Sequence, residues 1–465
     1  GIFELQDTVV KPLPGGDFFR KKLCTVLMPY DESKVLICTF KDGVYLYDYN
    51  TGSIKDDLIP KEINEKLKVL FIYAGARIAE DLYAIGTTNE EGILVIDKSG
   101  KLVSQINTEN SDLEDNSIYA LFCDYLNNQE LWISTYGIIS KAYFNIPLTK
   151  FAEKQGIDYA VNDICEFQGN IYLSSDAGIL KTFRDNKNFV KFKRIPGTDS
   201  PYFPLKLINS NHGEFLLAGA LDGILQILPN DIISRVENNC RDLPARKYNA
   251  KLICQSSLNH DIVYIGLEVG GILVLKYEGN SWKYLNRIRN LSGDISGIVE
   301  KNDNGLWVIT NDPNSLVSLS FNDKDTSAFI YGKEKGIPDI NLFSLKKIND
   351  ELYVFTSSGI LRFDKQNDRF ITDNTLTGGY SEGKNLRNLV VDKDGDIWFS
   401  GYDSRNFDML FRKTREGILN YRGILNLLPN VPSIDILNSG GLVYFTKSKI
   451  VPVLEKVKLL PDSTK

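Results

Sequence analysis

The feature that most limits how this chain can fold is an internal repeat. A short apolar strand, a polar turn, an apolar strand with a central aromatic or leucine, a few small residues, a glycine and another apolar strand recur ten times in 465 residues. The cores read VLICTFKDGVYLYD, LYAIGTTNEEGILVID, LWISTYGIISKAYF, IYLSSDAGILKTF, FLLAGALDGILQIL, VYIGLEVGGILVLK, LWVITNDPNSLVSLSF, LYVFTSSGILRFD, IWFSGYDSRNFDMLF and LVYFTKSKIVPVLE. Their central positions are Leu36, Tyr83, Trp132, Tyr172, Leu216, Tyr264, Trp307, Tyr353, Trp398 and Tyr444. The period is therefore about 45 residues. The apolar runs are short, rich in Val, Ile, Leu, Tyr and Phe, and bounded by Gly, Asn, Asp and Pro, which marks strands. Four strands fit one period.

A four-stranded sheet of this kind is apolar on both faces and cannot bury both alone. Neighbouring sheets must cover one another, and a ring of sheets leaves none uncovered. The fold class expected is all-β, tandem β-propellers of four-stranded antiparallel blades. Helical repeats of similar length would show a 3.6-residue rhythm and capping residues, and parallel β-helices have shorter periods.

The rhythm breaks between Tyr136 and Asp158, where Pro147 and a polar stretch intervene. Seven repeats follow, a number that closes a propeller comfortably, whereas one ring of ten exceeds the usual range of about four to eight blades. Residues 1–149 accordingly read as the last three blades, plus a stub, of a truncated first propeller, and residues 150–465 as a complete seven-bladed one. The opening GIFELQDTVVKPLPGG reads as a strand tail and exit loop, with an export signal expected upstream. Such a cut would leave an unpaired apolar blade face near residue 1.

Charge narrows the partners. Lys and Arg total 54 against 60 Asp and Glu, interspersed along the chain, for a net charge of −6. No basic face is offered to nucleic acid or to an anionic membrane. No apolar run reaches the roughly 18 residues of a membrane span, and the N-terminus lacks a signal-peptide layout. The six cysteines form no CxxC pair or zinc spacing. Cys24 and Cys38 flank a hairpin turn near Asp31, within reach of a disulfide across strands, with buried free thiols as the simpler expectation.

Candidate chemistry is sparse. The two histidines, His212 and His260, occupy equivalent turns of adjacent repeats and have no nucleophile motif nearby, so neither catalysis nor histidine-based metal binding is expected. Asp392, Asp394 and Asp396 imitate the start of a calcium loop, with Asp403 at the twelfth position by coincidence of counting; the sequence enters a strand, so an Asp-Gly turn is expected and no metal. The Gly-rich TLTGGYSEGKNLRN at 375–388 lacks the Lys-Ser/Thr and helix of a phosphate cradle. Trp132, Trp307 and Trp398 share one repeat position and are expected to pack between blades, while Trp282 is expected to pack on an outer strand. Loops near 196–204, 238–247 and 375–385 are candidate ligand-binding surfaces. No catalytic residue, metal ligand or cofactor is assigned, and the ligand-binding residues stay open.

The stretches DNGLWVIT and DKDGDIWFSG, and the longer GILVIDKSGKLVSQINTENSDLEDNSIYALFCDYLNNQELWIS, resemble the two-component regulator propeller repeat. The tenth repeat departs from that pattern, with KSKIVPV in place of the Gly-centred hairpin. The resemblance implies the periplasmic sensor ectodomain of a triple-tyrosine-type bacterial receptor, with two tandem seven-bladed propellers outside the inner membrane. It further implies a small-molecule, oligosaccharide or protein cue, homodimerisation through the parent receptor, and a cytoplasmic kinase or DNA-binding output beyond this segment. On that reading the segment is not an enzyme. The alternatives are a propeller-fold lyase or glycosidase, and a protein-interaction scaffold; the scaffold is weakened because no GH…WD pairing recurs.

Overall fold

The computed structural model describes residues 1–89, 91–111, 113–123, 130–143, 149–151, 155–186, 189–221, 223–236, 249–269, 271–289, 291–311, 314–322, 325–379, 385–392, 394–402, 408–420, 433–436, 442–445 and 451–453. The chain divides into two units, Gly1–Pro147 and Leu148–Lys465. Nearly every sheet is a four-stranded antiparallel meander, and the architecture is that of tandem β-propellers. The ten repeats are numbered here as blades 1 to 10.

Blade 7 shows the plan: Ile295–Glu300, Gly305–Asn311, Asn314–Asn322 and Asp325–Tyr331 pair in chain order. Its second strand is buried from Gly305 to Thr310, because both faces of the sheet are covered. Three recurrent residues hold the meander in shape. Where the second strand turns into the third, a hydroxyl closes the hairpin: Thr39 donates to the Gly43 carbonyl at 2.7 Å, Ser175 to Gly178 at 2.8 Å and Thr356 to Gly359 at 2.9 Å. Glycine follows because the chain there takes a positive φ, 89° at Gly271, where an added Cβ would lie 1.9 Å from the Ile288 carbonyl oxygen. An aspartate at the end of the third strand then caps the next turn: Asp48 accepts the N–H groups of Asn50 and Thr51 at 3.0 and 2.9 Å, and Asp97 those of Ser99 and Lys101 at 2.8 and 3.0 Å.

Apart from the one that caps blade 1, the core clusters join one face of a blade to the facing side of the next. Ile208, Leu217 and Ile224 of blade 5 meet Ile253, Val263 and Leu273 of blade 6, and Trp307, Ile309 and Leu316 of blade 7 meet Leu345, Val354 and Leu361 of blade 8. Within the second unit the first strands of blades 4 to 10 lie side by side in succession. Blade 10 supplies only Ser433–Ile436, Leu442–Phe445 and Val451–Val453; its fourth strand is Thr149–Phe151 from the start of the unit, with Thr149 opposite Val453 and Phe151 opposite Val451. Backbone hydrogen bonding between the two ends of the unit closes the circle and removes an edge strand. Phe151 also packs with Ile164, Leu173 and Phe192 of blade 4.

The first unit departs from expectation at three points. Blade 1 does not present an open apolar face: Phe19, on the 3₁₀ turn Gly16–Phe19, covers Ile37, Tyr45 and Tyr47, with Ile2 and Leu13 packed alongside. The opening residues are not a strand tail and exit loop but a hairpin, Phe3–Gln6 paired with Val9–Pro12, and its Phe3, Leu5, Val9 and Val10 are exposed. A helix, Lys61–Leu70, lies between blades 1 and 2, burying Leu67 against their shared core while the Asn64 side-chain oxygen accepts the Val44 N–H at 3.0 Å. Blade 3 has three strands among the described residues, Ala120–Cys123, Glu130–Ser134 and Ile139–Tyr143. No helix is long and apolar enough to cross a membrane among the described residues.

Candidate functional site: a polar aromatic cleft between blades 7 and 8

At the central position of the second strand, the aromatic side chains carry polar handles, and acids on neighbouring turns answer most of them. The Tyr172 hydroxyl donates to Asp231 at 3.1 Å, and Lys181 pairs with the same carboxylate at 2.8 Å. The Tyr264 hydroxyl donates to Glu300 of the next blade at 2.9 Å. Glu300 also accepts from the Ser256 hydroxyl at 2.7 Å, from the Ser257 hydroxyl and N–H at 2.9 and 2.6 Å, and from the Leu258 N–H at 3.1 Å. Burial pushes the Glu300 carboxyl up, but the hydroxyls of Ser256, Ser257 and Tyr264 outweigh it and hold it below its ordinary value. These contacts latch blade to blade.

In blade 9 the aspartates of the expected turn answer the central ring from within the blade. Asp392 accepts the N–H groups of Asp394 and Asp396 at 3.0 and 2.9 Å and the indole N–H of Trp398 at 2.9 Å. Arg412, stacked over Trp398 at 5.1 Å, pairs with Asp396 at 2.7 Å and with Asp392 at 3.6 Å. The carboxylate oxygens are thus taken up by turn, ring and guanidinium, and Asp403 lies outside the described residues.

Blade 7 is built differently, and there a cleft of about 440 Å³ opens against blade 8. Its walls come from the Lys301–Asp303 turn, Trp307, Tyr331, the Lys347–Asp350 turn, Phe363, Lys365 and Asp368. Trp307, Tyr331 and Phe363 form an edge-to-face cluster, with ring centroids 4.8 Å apart for Trp307 and Tyr331 and 5.0 Å for Trp307 and Phe363. Lys301 lies over the Trp307 ring at 5.0 Å and donates to the Ser318 and Ser320 hydroxyls at 2.6 and 3.4 Å. Burial pulls its ammonium below the ordinary lysine value. The Tyr331 hydroxyl donates to Asp368 at 2.6 Å, and Lys335 pairs with the same carboxylate. Lys335 and then Tyr331 hold Asp368 below the usual carboxylate range, while burial and Asp368 push Tyr331 up. Lys347 is shared between Asn302 at 2.7 Å and Asp350 at 3.0 Å. Ring faces and fixed polar groups around a space of small-ligand size make this a place to hold a molecule.

The structure separates the other residues singled out by sequence. His212 and His260 are both exposed; His212 stands 3.9 Å from Asp261, whose carboxylate takes the Asn211 N–H and side-chain amide at 2.9 Å each. Cys24 and Cys38 are free thiols out of register, Cys24 opposite Thr39 and Cys38 opposite Val26, and burial pushes Cys38 up to about 12. Trp307 is buried between blades 7 and 8, Trp398 is buried beside Asp392 and Arg412 of its own blade, and Trp282 on the outer strand of blade 6 is buried with its indole N–H donating to Gln226 at 3.0 Å. Trp132 is the exception: it is 45% exposed, with Lys141 over its ring at 4.9 Å. Blade 3 puts its aromatic on an open face. Loop 238–247 and residues 380–384 lie outside the described residues; in the 196–204 loop Thr198 is buried, bridging the Ile195 carbonyl at 2.7 Å and the Ile179 N–H at 3.0 Å. The cleft residues Lys301, Tyr331 and Asp368 were not singled out from sequence. The readable signal was a charge reversal within the repeat, Lys301 standing six residues before Trp307 as Asp392 stands six before Trp398.

No protein family and no curated protein matches the sequence. Solved structures do. The chain is similar to the extracellular domain of a protein described as a hybrid two-component system of B. thetaiotaomicron, at 14% identity and a TM-score of 0.60 over 92% of this chain and 61% of that one. It thus spans about three fifths of that structure's length. A virginiamycin B lyase from Staphylococcus aureus aligns at 13% identity and a TM-score of 0.45 over 67% of this chain and 99% of that one. The extracellular domain of a protein described as a one-component system of B. thetaiotaomicron aligns at 15% identity and a TM-score of 0.24 over 91% of this chain and 63% of that one. Of these three, the first alone superposes well enough to bear on the fold, and it agrees with the tandem propeller.

Proposed function

We propose that this chain is the ligand-sensing, extracytoplasmic part of a bacterial two-component receptor, seated in the periplasm as the ectodomain of an inner-membrane protein. The observation that carries the reading is the superposition of almost the whole chain on an extracellular domain of a protein described as a two-component system. A seven-bladed ring closed by its own first strand suits the role, since it is a rigid platform whose loops and inter-blade clefts can differ without disturbing the fold. On this reading residues 1–149 are the closing blades of a first propeller. The parent acts as a homodimer, and phosphoryl transfer or DNA binding belongs to a cytoplasmic output. The cue is a small molecule or an oligosaccharide, and this segment binds it without consuming it.

Two measurements test the reading together. A thermal-shift screen of glycan fragments and small metabolites should find a compound that raises Tm as its concentration rises. Chromatography of the same mixtures after prolonged incubation should recover that compound intact. Release of a cleavage or elimination product would replace the sensor by an enzyme.

A further inference from the structure

The repeat supplies its own control for the cleft between blades 7 and 8. In blades 7 and 9 the first turn is built alike: the Lys301 N–H donates to the Gly305 carbonyl as the Asp392 N–H donates to the Asp396 carbonyl, each at 2.9 Å. Asp392 and Lys301 therefore occupy the same place before the central tryptophan. Across the sheet, Trp398 stands opposite Arg412 and Trp307 opposite Ser318. Blade 9 thus has an acid on the turn, a guanidinium beyond the ring, and an indole N–H bonded to the acid. In blade 7 the acid has become a lysine and the guanidinium a serine. The Trp307 N–H has no acceptor among the described residues, and Lys301 carries a charge that Asp303 and Asp368 attract without either forming an ion pair with it. Among the described residues no carboxylate lies in ion-pair contact with Lys301, whose ammonium uses two of its three N–H bonds on the serine hydroxyls. Of the neighbouring acids, Glu300 is engaged with Ser256, Ser257 and Tyr264, Asp350 with Lys347, and Asp368 with Lys335 and Tyr331, while Asp303 on the same turn attracts the Lys301 ammonium without forming an ion pair with it.

We propose that this cleft binds the carboxylate of a small acidic ligand, with the Lys301 ammonium and the Trp307 indole N–H as its polar partners. A half-buried cation with a spare donor and an indole N–H without an acceptor among the described residues can both be met by one anionic group that accepts from the two. The ring cluster of Trp307, Tyr331 and Phe363 gives the rest of the ligand an apolar or sugar-ring face to lie against. The volume of about 440 Å³ has room for a single sugar acid or a small aromatic acid. The proposal deepens the sensor reading by giving the cue a chemical class, and rests on it for the signalling consequence.

The test is calorimetric titration of the whole chain with glucuronate, galacturonate and benzoate, and with glucose, methyl glucuronate and benzamide as neutral counterparts. A carboxylate should bind saturably and at least about tenfold more tightly than its neutral counterpart. K301M and K301Q should each weaken that binding about tenfold or more with the fold intact by circular dichroism, W307F should weaken it by a smaller factor, and D392N should leave it unchanged. Binding of uronates alone identifies a sugar acid; binding of benzoate as well identifies a general carboxylate site. Equal affinity for acid and neutral counterpart, no saturable binding at roughly millimolar concentration, or undiminished binding by both lysine variants overturns the site. A neutral sugar that binds wild type and K301M alike would sink the site and spare the sensor reading. A carboxylate that binds at Lys301 yet leaves the output of the parent receptor unchanged would do the reverse.

Discussion

Trp132 and Trp398 hold the same position in the repeat and meet opposite fates. Trp398 is 5% exposed, flanked by Asp392 and Arg412, whereas Trp132 is 45% exposed under a single lysine. The sequence around each specifies a central aromatic on a second strand, but how far its ring is covered depends on what packs against the sheet. Exposed Phe122, Tyr136 and Ile139 lie on or beside the same strands of blade 3. A blade is therefore a local object, and its stability is not.

The difference should be largest in mutation. Replacing Trp398 by Ala removes a buried ring and strips the Asp392–Arg412 pair of its indole, so a loss of about 3–5 kcal/mol is expected. Replacing Trp132 by Ala should cost well under about 1 kcal/mol, as for exposed sites in general. Chemical denaturation of both variants checks the ratio, and similar losses would mean that blade 3 is covered in solution. Limited proteolysis draws the same contrast between units. The chain before about residue 150 should be cut first, and equal resistance of both units would break the comparison.

Much of this was legible in the sequence because the repeat is short-range chemistry. The hydroxyl before the hairpin, the glycine within it and the aspartate after the third strand recur in several blades and act within a few residues, so a period of about 45 residues exposes them. The closing strand was not legible. Thr149–Phe151 is three residues long and its partner lies at Val451–Val453, so no local pattern marks the pairing. The helix at Lys61–Leu70 was open to view, with Ile63 and Leu67 four apart behind Pro60, but a reading tuned to strands passes over one helical insertion. The cleft was half legible: the exchange of Asp392 for Lys301 can be read, while the lack of an answering acid takes coordinates.

A smaller effect should separate the latches from the cleft. Glu300 gathers three hydroxyls and two N–H groups between blades 6 and 7, and E300A leaves those donors facing an apolar methyl at a cost of about 2 kcal/mol. K301M, one residue on, should be neutral or slightly stabilising, because it removes a desolvated charge that no acid contacts directly. Tm values for the two variants test the contrast, and a large loss for K301M would mean that the lysine serves the fold.

The smallest effect is in pH. The folded-state value of Glu300 lies below its ordinary 4.5, so folding favours the carboxylate, and the stability it contributes is fully present above that ordinary value. It is lost as pH falls through the lower, folded value, when protonation removes the acceptor that Tyr264 and the serines require. Wild type should therefore lose more Tm between about pH 6 and pH 3 than E300Q, which starts lower and has no proton to take up at this site. Because Glu300 is partly open to solvent, the gap should be a few tenths of a kcal/mol to about 1 kcal/mol. Parallel acid limbs for the two proteins would show that the latch holds its geometry without its charge.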